Sequence, residues 1–239
     1  MNWPSLEDFR EVRRGLPVLA AILFAASLFF PMWEILVDAV QYPETTLRVQ
    51  LYAYPRIAGD YVEMAALNHY VGFNYPDPVL IEPNFEVKEA AIDVPEWSLG
   101  PLAFLGVAAT GAFVAVAPTI EKLKRGLKWQ FRGTIAVFTI MLADIQVRLW
   151  QAGHSLDPDA PLTGVEGFTP PIWGKYQVAN ITSVSRFATG GYMAMLAIAL
   201  LVIAYYYRNS ETTVDELPGH LAARLRGLRD RVRGADGGE

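Results

Sequence analysis

Three histidines are the only imidazoles among the 239 residues, and no cysteine accompanies them. His69 stands in Leu67-Asn68-His69-Tyr70-Val71-Gly72, His154 in Gly153-His154-Ser155-Leu156-Asp157-Pro158-Asp159, and His220 in a polar tail. Without thiolates there are no disulfides, no cysteine-bound iron–sulfur cluster and no Cys-x-x-Cys-His haem attachment. Any metal must use imidazole, thioether, carboxylate or carbonyl donors. Two histidines completed by Met or carboxylate suit copper or another late transition metal, with Met32, Met64, Asp157 and Asp159 as further candidate donors. The two imidazoles are far apart in sequence and carry no ligand spacing of their own, so the alternative stays open that His69 hydrogen-bonds within its loop and His154 ends a helix. A nucleophilic triad of Ser155, His154 and Asp157 has no nucleophile elbow around it. No cofactor loop or acid–base pair is recognisable, and the chain is not expected to be an enzyme.

Asp144 and Arg148 are the other pair with chemical potential. Four residues apart, acid before base, they share a helix face in the favourable order for an ion pair. Asp144 precedes Trp150 by six residues, which at about 1.5 Å per residue places it roughly 9 Å below a membrane surface. An ionisable group at that depth marks a proton or ion path. The competing reading is a structural pair with Arg148 snorkelling outward. Gln146, between them, is placed to hydrogen-bond a neighbouring helix.

The elements that must position these residues follow from composition. A chain that is 52% hydrophobic and 19% charged has too little polar surface for a soluble domain of this size. Four apolar segments approach the roughly 20 residues a bilayer span needs: Leu16 to Val37, Leu99 to Ile120, Gly133 to Trp150 and Gly190 to Tyr207. Arg10, Arg13 and Arg14 precede the first, but Phe29-Phe30-Pro31-Met32 is a poor cleavage site, so it reads as a retained anchor. Basic residues gather before the first span, between the second and third (Lys122, Lys124, Arg125, Lys128, Arg132) and after the fourth. The positive-inside rule makes these stretches cytoplasmic. The expected fold is therefore an all-α integral membrane protein of the cytoplasmic membrane, with both termini inside and two outer loops forming a small cap with some β structure. The expected order is an arm 1–15, spans 16–40, 98–120, 133–150 and 189–207, outer loops 41–97 and 151–188, a basic inner loop 121–132 and a tail 208–239. The net charge of −5 argues against nucleic acid as a partner.

Within the first outer loop, Leu47, Val49 and Leu51 alternate with polar residues as a half-buried strand does, and a short helix is expected around Asp60 to Leu67. Phe85, Val87 and Ile92 allow another strand. The Pro- and Gly-rich second loop favours extended and turn conformations. Leu217 to Val232 reads as a basic amphipathic helix suited to an anionic inner leaflet. Asn180-Ile181-Thr182 is a glycosylation sequon, and Gly106, Ala109, Gly111 and Ala112 suit close helix packing.

The outer-loop motifs resemble those of a family of poorly characterised four-span membrane proteins. The matching stretches are Gln41-Tyr42-Pro43, Gly59-Asp60 and Leu67 to Gly72 in the first loop. In the second they are Gly153 to Pro161, Phe168-Thr169-Pro170-Pro171-Ile172-Trp173-Gly174 and Asn180. Members tend to be encoded beside nitrous oxide reductase maturation genes, copper chaperones and c-type cytochromes. The resemblance implies an accessory role in copper handling or respiratory enzyme maturation, with His69 and His154 as the metal-binding residues. Where many relatives carry Met after the motif glycine, this chain has Phe73. Two further readings stand beside this one: a metal-free docking subunit of a respiratory complex, and a small proton or ion pathway through Asp144 and Arg148.

Overall fold

The computed structural model describes residues 4–73, 76, 77, 92–161, 167–219, 222, 223 and 226. Five helices and one five-stranded sheet dominate it. The helices are α1 (Val12–Ser27), α2 (Tyr61–Val71), α3 (Gly100–Ala115), α4 (Ile120–His154) and α5 (Thr189–Tyr206). The strands of the sheet are β1 (Trp33–Asp38), β2 (Leu47–Leu51), β3 (Ile57–Gly59), β6 (Gly174–Val178) and β7 (Ile181–Phe187), while β4 (Pro76–Asp77) and β5 (Ile92–Asp93) form a separate parallel pair.

Three helical segments are long and apolar enough to cross a membrane: Pro95–Ala115, Ile120–His154 and Thr189–Asn209. The first apolar segment behaves differently from the expected span 16–40. Its helix stops at Ser27, whose hydroxyl turns back to the Phe24 carbonyl at 2.7 Å, and Trp33–Asp38 is a strand. Pro31 cannot donate to a helical ladder, and the following Ile35 and Val37 favour extended backbone. A long apolar run whose only charged residue is Glu34 does not by itself distinguish a buried helix from a helix followed by a central strand. The ends of α1 nevertheless match those of α5. Val12 N–H donates to the Thr212 carbonyl at 3.0 Å, and at the other end Gly190 N–H donates to the Pro31 carbonyl at 2.8 Å. The two helices therefore lie antiparallel over the same thickness.

The basic connection expected at 121–132 is also helical, and with the following apolar segment it forms the single helix α4. Thr119 starts it by accepting a hydrogen bond from Lys122 N–H, the ordinary N-cap arrangement. No glycine or proline interrupts the stretch strongly enough to stop propagation, although Gly126 and Gly133 lie in it. At about 1.5 Å per residue the 35 residues extend about 52 Å, longer than a bilayer core. Its early turns pack in the bundle, where Gln130 Nε2 donates to the Val107 carbonyl at 2.9 Å. Further along, Phe138 meets Phe24 and Phe104, with ring centroids 5.3 and 5.1 Å away. Because α3 and α4 run antiparallel, the last turns of α4 pass the start of α3 at Glu96 and reach the segment around Phe168 and Pro170 that leads into β6.

That sheet has the order β3-β2-β1-β7-β6, and all its neighbours are antiparallel. Its core face carries Val37, Leu47, Val49, Val178 and Ile181 against Tyr61, Leu67 and Val71 of α2. The alternation seen around Leu47 and the expected short helix both appear, and they explain each other: each is the other's apolar partner. Phe85 and Val87 lie outside the described residues, as does most of Leu217 to Val232.

Candidate functional site: the junction of the two loops

The sequence motifs of the two loops meet. His69 sits on the last turn of α2 with its side chain exposed, and Gly72 ends that helix at φ +78°, a left-handed conformation that favours glycine. Asp157 N–H donates to the Gly72 carbonyl at 2.8 Å. A β-carbon on Gly72 would stand 2.7 Å from the Ala160 β-carbon, so the absence of a side chain permits this approach. Phe73 lies 5.9 Å from Phe168, ring centroid to ring centroid, and Phe168 N–H closes on the Gly153 carbonyl at 3.0 Å. Phe73 thus supplies an aromatic contact across the junction.

His154 is the last residue of α4. Its Nδ1 is 2.9 Å from the Trp150 carbonyl, and its ring stacks on Trp150 with centroids 4.8 Å apart. A carbonyl only accepts, so Nδ1 is the donor, and in the neutral imidazole the lone pair is on Nε2. Gly167 lies on the ring, where a β-carbon would come within 2.7 Å of Cδ2. These contacts orient His154 and leave one nitrogen for a ligand. Among the described residues no group of three or more His, Asp or Glu is arranged to hold a metal. Met64 packs at the edge of the apolar clusters beneath the sheet, and Asp157 Oδ1 accepts from Asp159 N–H at 2.9 Å in a local turn. The described residues therefore do not form a complete coordination sphere. His154 Nδ1 is taken by the Trp150 carbonyl and not by Asp157, whose Oδ1 faces Asp159 N–H. His220 lies outside the described residues.

Asp144 and Arg148 do not form the expected isolated pair. Arg148 Nε donates to Glu96 at 2.5 Å and its Nη1 to Gln151 at 3.1 Å, while Asp144 faces the same Glu96. Glu96 comes from the turn preceding α3, and the three groups sit where α4 leaves the bundle, not in its middle. Gln146 bonds not to a helix but to the loop, donating to the Pro170 carbonyl at 3.3 Å. The favourable spacing of Asp144 and Arg148 is real, but a carboxylate 52 positions away in sequence takes the guanidinium.

A second polar centre escaped the sequence reading. Glu34 on β1 is 6% exposed and receives Arg186 Nε at 2.6 Å and Arg48 Nε at 2.8 Å. Glu34 and Arg186 are direct cross-strand partners, and Arg48, opposite Leu36, lies two residues along β2 from Gln50, the partner of Glu34, on the same face of the sheet. The available signal was a lone carboxylate in the otherwise apolar Trp33 to Val37. Its partners were hidden because strand register joins residues distant in sequence.

Comparison with protein-family models, with curated proteins and with solved structures gave no match to this chain.

Proposed function

We propose that this chain is an accessory, non-catalytic membrane protein of copper handling or respiratory enzyme maturation, and that its joined outer loops are the surface a partner recognises. It crosses the cytoplasmic membrane four times with both termini inside. The matched ends of α1 and α5 support the fourth crossing, and the distribution of Lys and Arg supports the orientation. The observation that carries the functional reading is the 2.8 Å hydrogen bond from Asp157 to Gly72, which ties together the two motif loops bearing His69 and His154. In this reading the two imidazoles contribute two donors to a copper ion, and the protein that delivers or receives the ion completes the set. Copper would supply the electron-transfer or transfer chemistry of the partner, and this chain would hold the loops in register.

Copper titration of purified protein, followed by absorption and electron paramagnetic resonance, tests this. Both His69→Ala and His154→Ala should change the stoichiometry or the spectrum. If neither does, the copper reading is wrong. A metal-free docking subunit of a respiratory complex is the second reading, favoured by the incomplete ligand set among the described residues. Co-purification of metal-free protein with a cytochrome or reductase, undiminished in the His69→Ala/His154→Ala protein, would select it.

A further inference from the structure

One face of the sheet is covered by α2, while the other carries Glu34, Arg48, Gln50 and Arg186 and opens into a cleft of about 330 Å³. Thr189 and Tyr192, from the start of α5, also line it. The cleft lies where the strands become the bundle: β7 ends at Phe187 and α5 begins at Thr189. With 18 residues at about 1.5 Å each, α5 is about 27 Å long, close to the thickness of a hydrocarbon core. Its first turn therefore falls at a bilayer surface. Phe29 is 81% exposed and Tyr192 54% exposed at this same end of the bundle, as interfacial aromatic anchors are.

Two guanidinium groups share one carboxylate here, leaving a formal excess of one positive charge. Both meet Glu34 through Nε, Arg186 in a hydrogen bond and Arg48 in an ion pair, and among the described residues their terminal Nη atoms donate no hydrogen bond to protein. Arg48 and Arg186 are half-exposed, so those donors reach solvent. Neutralising a single buried carboxylate requires one arginine. The second makes the cleft an acceptor-seeking site, and the first turn of α5, where the Pro31 carbonyl takes Gly190 N–H, adds partial positive charge from its remaining amides. Planar guanidinium forks match phosphate oxygens bidentately. We propose that this cleft binds the phosphate of an anionic phospholipid headgroup, with Arg48 and Arg186 as the binding residues and Glu34 as the residue that positions them. Its volume suits a headgroup rather than a protein segment. The inference rests on the membrane reading of α5 and is independent of copper.

The test is native mass spectrometry of protein released from nanodiscs made of equal phosphatidylglycerol and phosphatidylcholine. The wild-type chain should retain phosphatidylglycerol preferentially. The Glu34→Gln/Arg48→Gln/Arg186→Gln protein, which removes all three charges while keeping polar, hydrogen-bonding side chains, should retain it about tenfold less. Arg208→Gln, at the other end of α5, should change nothing. If the triple variant does not fold, Arg48→Lys/Arg186→Lys keeps the charges on Glu34 while losing the forks, and should still reduce retention severalfold. Equal retention by wild type and the folded variant overturns the proposal. So does displacement of all retained lipid by millimolar inorganic phosphate, which would make this a free-phosphate site. Failure of the wild-type chain to enter nanodiscs would overturn the membrane reading and this inference together, whereas incorporation without selective retention would overturn the inference alone.

Discussion

A group taken wholly or partly out of water is constrained most by what it must not lose, and buried Glu34, half-buried Tyr176 and buried Gly72 show this in three ways. Removing Glu34 as Glu34→Ala leaves two half-exposed guanidinium groups facing each other. Solvent screens them, so the expected cost is about 1–2 kcal/mol, read as a lower midpoint of thermal unfolding in detergent. Burial pushes the Tyr176 phenol above the usual tyrosine range, against a hydrogen bond with Ser183, its cross-strand partner, that acts in the other direction. The folded state thus favours the neutral phenol. Its stabilising contribution is complete below the unfolded value near about 10 and is lost as pH rises through the higher folded value. Phenolate absorbance should show one late-titrating tyrosine that disappears in Tyr176→Phe. Equal titration curves for the two proteins would refute the burial argument. Gly72→Ala must hold φ +78° with a side chain while displacing Ala160. It should cost about 1–3 kcal/mol and speed proteolysis of the loops.

Among the elements, the sheet and α4 carry the consequences. Ala179 occupies φ +50° in the two-residue turn between β6 and β7. A two-residue hairpin calls for positive φ, which an alanine adopts only against its β-carbon. Ala179→Gly should therefore stabilise the cap by roughly 1 kcal/mol, measured by hydrogen exchange of β6 and β7 amides. The neighbouring Asn180 is exposed in this turn, where the sequon is accessible. Helix α4 acts as the strut between bundle and cap, since its first half packs on α3 and its end holds Glu96, Pro170 and Phe168. Its uncovered apolar flank, including Ile135, Ile140, Leu142 and Val147, is compatible with lipid contact.

For the whole molecule, the N-terminal arm and the chain after α5 are held side by side. Glu11 bridges Thr213 in the antiparallel sense, and Arg10 pairs with Asp215 at 3.3 Å. Arg14, 5% exposed, donates from Nη1 to the carbonyls of Ala115 at 2.6 Å and Ala117 at 3.0 Å, and so satisfies the end of α3 from α1. Arg14→Leu strands those carbonyls and should cost about 1–3 kcal/mol, again as a fall in the thermal midpoint. The cysteine-free sequence makes topology directly measurable. With four crossings, an impermeant thiol reagent should label Ser5→Cys and Asp215→Cys from one side and Lys175→Cys from the other. Labelling of Ser5→Cys together with Lys175→Cys would mean that α1 does not cross.

Composition and the position of charges were sufficient to announce apolar helices separated by two folded loops, because bilayer solvation acts on runs of residues and needs no knowledge of their partners. Local patterns likewise exposed Leu47 to Leu51 as a strand and the region after Asp60 as a helix. Tertiary structure alone decided that Trp33 to Asp38 is the central strand. Its two neighbours come from different loops, and the alternation of Glu34, Leu36 and Asp38 with Trp33, Ile35 and Val37 is too short to stand out at the end of a long apolar run. Tertiary structure also gave Arg148 to Glu96 rather than Asp144, and gathered Glu34, Arg48 and Arg186, since ion pairing is chosen by distance in space. His69 and His154 were visible as residue types from the start. Their loops meet through backbone atoms, Gly72 and Asp157, which carry no side-chain signature that a sequence can display.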